Sequence, residues 1–115
     1  MLFAGTPVGD FAAAVAWYTT VFGRPADIPV AEDETMWQFS DSAFVYLVRD
    51  PARAGGSLLT LSVADLDLAV AEVSARGVAG AQVEQVGEAG RRVVYTDPDG
   101  NRLSLVEVNQ PAQEA

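Results

Sequence analysis

The chain of 115 residues has no cysteine and no histidine, and its seven cationic side chains are all arginine. Each absence removes chemistry. Without cysteine there is no disulfide and no thiolate nucleophile or ligand, and the redox compartment is unmarked. Without histidine the chain lacks the side chain that titrates near neutral pH and the commonest transition-metal ligand. Without lysine no side-chain Schiff base can form. Any reaction would rest on carboxylates, hydroxyls, arginines and backbone amides. No apolar run approaches the ~18 residues of a membrane helix. The N-terminal MLFAGTPVGD has no basic segment ahead of a long apolar one, so no signal peptide is expected and the cytoplasm is the default compartment.

What is present is half hydrophobic, with sixteen acidic residues and a net charge of −9. That length and composition suit one domain, 1–115, with a real core. The charge opposes phosphate backbones and acidic membrane surfaces, so neither nucleic acid nor membrane is an expected partner. It suits a cationic ligand, or simply a soluble surface.

Leu2 to Val8 reads as a first strand. Asp10 stands as N-cap of a helix from Phe11 to Phe22, with Phe11, Ala14, Val15, Tyr18 and Phe22 on one face and Gly23 closing it. Pro25 stops continuation. A polar, acidic connection follows, with Asp27, Glu32, Asp33 and Glu34. Thr35 to Phe39 and Ala43 to Val48 read as strands around the turn Ser40-Asp41-Ser42, and Asp50 to Gly56 reads as a linker.

Beyond the linker the pattern starts again. Leu58 to Val63 reads as a strand, Asp65 as an N-cap, and Leu66 to Arg76 as a helix ended by Gly77. Val8, Asp10, Phe11, Ala14, Val15 and Ala16 recur as Val63, Asp65, Leu66, Ala69, Val70 and Ala71, at a constant offset of 55. Gln82 to Val86 and Arg91 to Thr96 are further strands. The apolar segments Val93-Val94-Tyr95 and Leu103, Leu105, Val106 and Val108 flank the polar turn Asp97-Pro98-Asp99-Gly100-Asn101, a hairpin signal. Phe39-Ser40-Asp41 corresponds to Tyr95-Thr96-Asp97, and Phe44 to Val48 corresponds to Arg102 to Val106. Repeat one is expected over about 1–52, repeat two over about 57–108, and a tail over 109–115. The expected class is α+β: two tandem βαβββ modules forming a curved eight-stranded mixed sheet around a central cavity, helices outside. A concave interior of that kind suits a small molecule.

Three segments carry a resemblance to a known family: Val8 to Phe11 leading into Ala16 to Gly23, then Val63 to Leu66, and Tyr95 to Leu103 with its DPDGN turn. Together they resemble the vicinal oxygen chelate superfamily, which includes glyoxalase I, bleomycin-resistance proteins and extradiol dioxygenases. The resemblance implies, in the metal-dependent members, a divalent ion held by four side chains, two per repeat, mostly His and Glu. Those positions fall on Phe3, Tyr46, Leu58 and Ser104. Phe and Leu offer no donor atom, and Ser and neutral Tyr are poor ligands for zinc, nickel or iron. The nearest carboxylate, Glu107, sits an odd step from Ser104 and should face the other side of the strand. No metal and no other cofactor is therefore expected.

The resemblance then points to metal-free small-molecule binding, with an aromatic or cationic ligand such as an antibiotic held in a cleft of a homodimer. The candidate ligand-binding residues are Trp37, Phe39, Phe44, Tyr46, Tyr95, Ser104, Phe3 and Leu58, with Trp37 foremost as a stacking surface. No catalytic residue is assigned. Two alternatives stand beside this reading. One is a metal-independent lyase, isomerase or hydrolase-like enzyme using Tyr46, Ser104, Tyr95 and Arg92 or Arg102. The other is a dimeric regulatory or structural module.

Overall fold

The computed structural model describes residues 1–80 and 82–109, so the expected tail beyond 109 lies outside the described residues. Two aspartates start the two helices as the offset requires. Asp10 accepts the backbone N–H of Ala13 at 3.0 Å and opens α1 (Phe11–Phe22); Asp65 accepts that of Leu68 at 3.0 Å and opens α2 (Leu66–Ala75). Gly23, at φ 76°, closes α1 in the left-handed region that an L side chain resists.

Among the described residues there are also eight strands: β1 (Leu2–Val8), β2 (Ile28–Ala31), β3 (Glu34–Ser40), β4 (Ala43–Arg49), β5 (Leu58–Ser62), β6 (Glu84–Val86), β7 (Gly90–Thr96) and β8 (Arg102–Val108). They form two hydrogen-bonded sheets of four, ordered β1-β4-β3-β2 and β5-β8-β7-β6. In both, the first strand runs parallel to the last and the others pair antiparallel. The acidic connection contains one element more than its composition shows. Ile28–Ala31 is a strand, and Glu32 and Asp33 turn it back into β3. Its four residues are all exposed, so no buried face imprints a period on them.

Each sheet turns one face to its helix and leaves the other uncovered. The covered face contributes Val8, Trp37, Leu47, Val93, Tyr95, Leu103 and Leu105, which join Tyr18, Val21, Leu66 and Val73 of the helices in one core. No helix among the described residues is long and apolar enough to cross a membrane.

Candidate functional site

Strand alternation, fixed by the pairing register, decides which side chains reach the open faces. On the first sheet Phe3 lies beside Phe44, while Gly5, Tyr46 and Met36 form the next row. The Phe3 and Phe44 rings stack 4.9 Å apart and nearly parallel, and Phe3 remains 50% exposed. Gly5 is there because Tyr46 lies on it: a Cβ at Gly5 would come within 2.4 Å of the phenol ring. On the second sheet Thr60, Ser104 and Val94 share a row, with Leu58 and Arg102 beside it. Leu58, at the start of edge strand β5, is 79% exposed.

Three of the expected ligand residues stand elsewhere. Trp37 pairs with Val45 and so points under α1, where it is 0% exposed. Its indole N–H donates to the Arg24 carbonyl at 3.0 Å, and its ring meets Phe22 at 5.3 Å and Tyr18 at 6.4 Å. A ring sealed this way is a core element, and stacking on a ligand would require opening the core. Tyr95 is buried as well; burial raises its phenol pKa, with the Arg76 charge pulling the other way. Phe39 shares the Trp37 face at the rim, packing on Phe22 at 5.0 Å with the Arg24 guanidinium over its ring at 5.3 Å. The sheet thus gathers Phe3, Phe44, Tyr46, Leu58 and Ser104 on open faces and withdraws Trp37, Phe39 and Tyr95. Gly5 and Thr60, each one row on from Phe3 and Leu58, belong to the open faces too, and the offset of 55 between them was the signal for both.

The acidic segment does not surround those faces. Asp27 accepts from the Gln38 backbone N–H and from Arg24, which hold its carboxyl below the ordinary range in that order. Glu32 and Asp33 make the β2–β3 turn, and Glu34 alone falls on the open side, level with Val48.

A divalent ion of the kind held by metal-dependent relatives does not fit here. Phe3 and Leu58 have no donor atoms, and the phenol of Tyr46 and the hydroxyl of Ser104 are poor ones. Glu107 cannot substitute. It faces the helix, where its Oε1 accepts the Leu66 backbone N–H at 2.9 Å and an Arg91 N–H at 3.3 Å. Among the described residues no three His, Cys, Asp or Glu side chains cluster for a metal.

The DPDGN turn has a different task. Asp97, 4% exposed, accepts from the Tyr18 hydroxyl at 2.8 Å, the Asn101 side-chain amide at 2.9 Å, and the backbone N–H groups of Asp99 and Asn101, both at 2.9 Å. Asn101 in turn accepts from the N–H groups of Gly55 and Ser57 and donates to the Pro7 carbonyl. Asp99 accepts the Gly9 N–H. One turn therefore ties α1, the end of β1 and the linker to the second sheet.

Two depressions open on the uncovered face of the second sheet. One, of about 180 Å³, is lined by Thr60, Val86, Gly90, Arg92, Ser104 and Val106, among others. The other, of about 430 Å³, is lined by Ala79, Glu84, Arg92, Val94, Thr96 and Arg102. The larger lies within the range of about 300–1,000 Å³ common to small-molecule sites.

Known proteins share this arrangement. A glyoxalase/bleomycin resistance protein from Catenulispora acidiphila is 41% identical in sequence, with a TM-score of 0.88 over 94% of this chain and 97% of that one. An antibiotic-binding protein from a Streptomyces species is 25% identical, with a TM-score of 0.74 and 93% of each chain covered. A bleomycin-binding protein complexed with bleomycin is 19% identical and shares the fold at a TM-score of 0.75, over 95% of this chain and 98% of that one. No protein with a curated description is significantly similar. The family model for the Glyoxalase/Bleomycin resistance protein/Dioxygenase superfamily matches residues 3–105, nearly the whole of both sheets, and the chain belongs to that superfamily.

Proposed function

We propose that the chain is a metal-free small-molecule-binding protein that holds an aromatic ligand against the open sheet faces. One observation carries this reading: the aromatic patch of Phe3, Phe44 and, one row on, Tyr46 on a sheet face that no helix covers. Core aromatics are sealed in this fold, as Trp37 is, whereas this patch remains accessible. A stacked ring adds about 0.5–1.5 kcal/mol beyond the area it buries, and a truncated aromatic anchor commonly costs more than 1 kcal/mol of binding. The similarity to an antibiotic-binding protein supports a ligand of that class, and two copies of the chain would enclose it better than one.

The test is a calorimetric titration with bleomycin and a panel of planar aromatic antibiotics, with backbone amide shifts mapped by NMR. A binding member should perturb Phe3, Phe44, Tyr46 and Ser104. Tyr46→Ala should weaken it about tenfold. Phe39→Ala, at the rim of the covered face, should not. Shifts confined to other surfaces, or silence across the panel, would refute the assignment. The metal-free part fails separately if elemental analysis of purified protein finds stoichiometric zinc, nickel, iron or manganese.

A further inference from the structure

Seven arginines serve a chain with sixteen acidic residues, so carboxylate partners are plentiful. Arg24, Arg53, Arg91 and Arg92 each take one or more, in Asp27, Asp50, Asp67 with Glu107, and Glu84. Arg76 donates to carbonyls at the end of α1. Arg49 and Arg102 have no carboxylate partner among the described residues, and of the two Arg102 has the specific place in the sheet. It pairs with Thr96 across β7–β8, while Arg92 pairs with Val106, leaving the Val94–Ser104 pair between the two arginines on the same open face. Both guanidinium-bearing side chains line the depression of about 430 Å³. Arg92 also lines the adjoining smaller one, whose Val86 and Val106 supply an apolar wall. Glu84 answers one of the two positive charges at 2.7 Å, so the face remains positive in a chain of net charge −9.

We infer that the open face of the second sheet is an anion subsite, in which Arg102, assisted by Arg92, takes the carboxylate of an otherwise apolar ligand. The inference rests on the binding reading above and fixes the ligand's charge, which acidic composition alone would set with the opposite sign. Local geometry outweighs the net charge for a physical reason. At physiological ionic strength charges are screened over about 8 Å, so the acids on the rims and loops act weakly here. A guanidinium presents five N–H donors in a planar fork matched to a carboxylate. The hydroxyl of Thr96 lies in the same row as Arg102 and that of Ser104 in the next, and both can donate to the same oxygens.

Three probes that share one ring and differ in charge test this: naphthoate, naphthylmethanol and naphthylmethylamine, titrated by calorimetry near neutral pH. Naphthoate should bind at least about tenfold more tightly than the alcohol, as hydrogen bonds to charged groups allow, and the amine should bind weakest. Arg102→Gln should bring naphthoate down to the affinity of the alcohol and leave the alcohol unchanged. Arg49→Gln, at the end of β4 away from this face, should preserve the order. A wild-type protein that prefers the amine, or an Arg102→Gln protein that still prefers naphthoate, overturns the inference. If the alcohol binds and naphthoate gains nothing, the anion subsite fails while the binding reading stands. If none of the three binds, the anion subsite falls, and the antibiotic panel decides the binding reading separately.

Discussion

Asp97 is a carboxylate in a place water scarcely reaches, and what makes that tolerable is the number of donors around it. Burial of an ionised carboxylate is costly unless hydrogen bonds replace its hydration, and here four donors from three residues do so. Asp97→Ala would strand the Tyr18 hydroxyl and the Asn101 amide, at a cost of about 3 kcal/mol against a total stability of about 5–15 kcal/mol. The Tyr18 end of this pair also has a pH signature. Burial first, then the Asp97 charge and the hydrogen bond to it, raise the Tyr18 phenol pKa above its ordinary value of 10.0. An unfolded tyrosine loses its proton near pH 10 while the folded one keeps it. Above that pH the unfolded state binds fewer protons, and stability falls by up to about 1.4 kcal/mol per pH unit; below it the contribution is complete. Urea midpoints followed from about pH 8 to about pH 11 should therefore decline on the alkaline side. Tyr18→Phe should cost about 1 kcal/mol at neutral pH and make the alkaline decline shallower. Tyr95, raised by burial as well, would keep a part of it. An unchanged slope in Tyr18→Phe would mean that its phenol plays no part.

At the scale of elements, α1 ends without a basic residue of its own in the last turn, and the second half of the chain supplies one. Arg76, just past α2, donates to the Thr20 carbonyl at 2.6 Å and the Val21 carbonyl at 2.7 Å. A cation bonded to the last carbonyls of a helix satisfies acceptors that have no partner within it and opposes the negative end of its dipole, for about 1 kcal/mol. Arg76→Ala should lower the melting temperature by roughly 4–8 °C, as 1 kcal/mol does in a domain near this size, and Arg76→Lys should recover part of it. A melting temperature unmoved by Arg76→Ala would show that the contact contributes nothing. The sequence displayed the helices themselves clearly, because their caps, Asp10 and Asp65, and their apolar faces recur at one offset. It did not display this contact, since nothing local to Thr20 or Val21 announces a partner 56 and 55 residues away. The same limit governed the site. The first sheet is apolar on both faces, so a period of two in β3 shows that Trp37 and Met36 point oppositely without saying which faces the helix. Only the register with Val45 puts Trp37 in the core. Phe3, Tyr46 and Ser104 were singled out by the family resemblance and the repeat rather than by hydrophobicity, and the strand register places all three on open faces.

On the scale of the whole molecule, both sheets end on an unprotected edge. β1 (LFAGTPV) and β5 (LLTLS) contain no charged residue, and Leu2, Phe3 and Leu58 on them are 63%, 50% and 79% exposed. Soluble proteins usually guard edge strands with charge, proline or a covering element, because unpaired N–H and C=O groups beside apolar side chains invite another strand. Here Pro7 is the sole such guard on either strand. A second copy of the chain is the cover most consistent with that bareness, and it would bring another set of open faces towards the first. Each copy carries a charge of −9, so association works against electrostatic repulsion that salt relieves. The Debye length falls from about 30 Å at 0.01 M salt to about 8 Å at 0.15 M, enough to change the balance between two acidic surfaces. Sedimentation equilibrium should accordingly find a dimer that tightens as salt rises over that interval. Leu58→Glu, which adds charge to the bare edge without touching the core, should give a monomer at the same concentration with its thermal melting no longer dependent on protein concentration. A wild-type chain that stays monomeric at every salt concentration, up to its solubility limit, would show that the exposed edges of β1 and β5 need no partner.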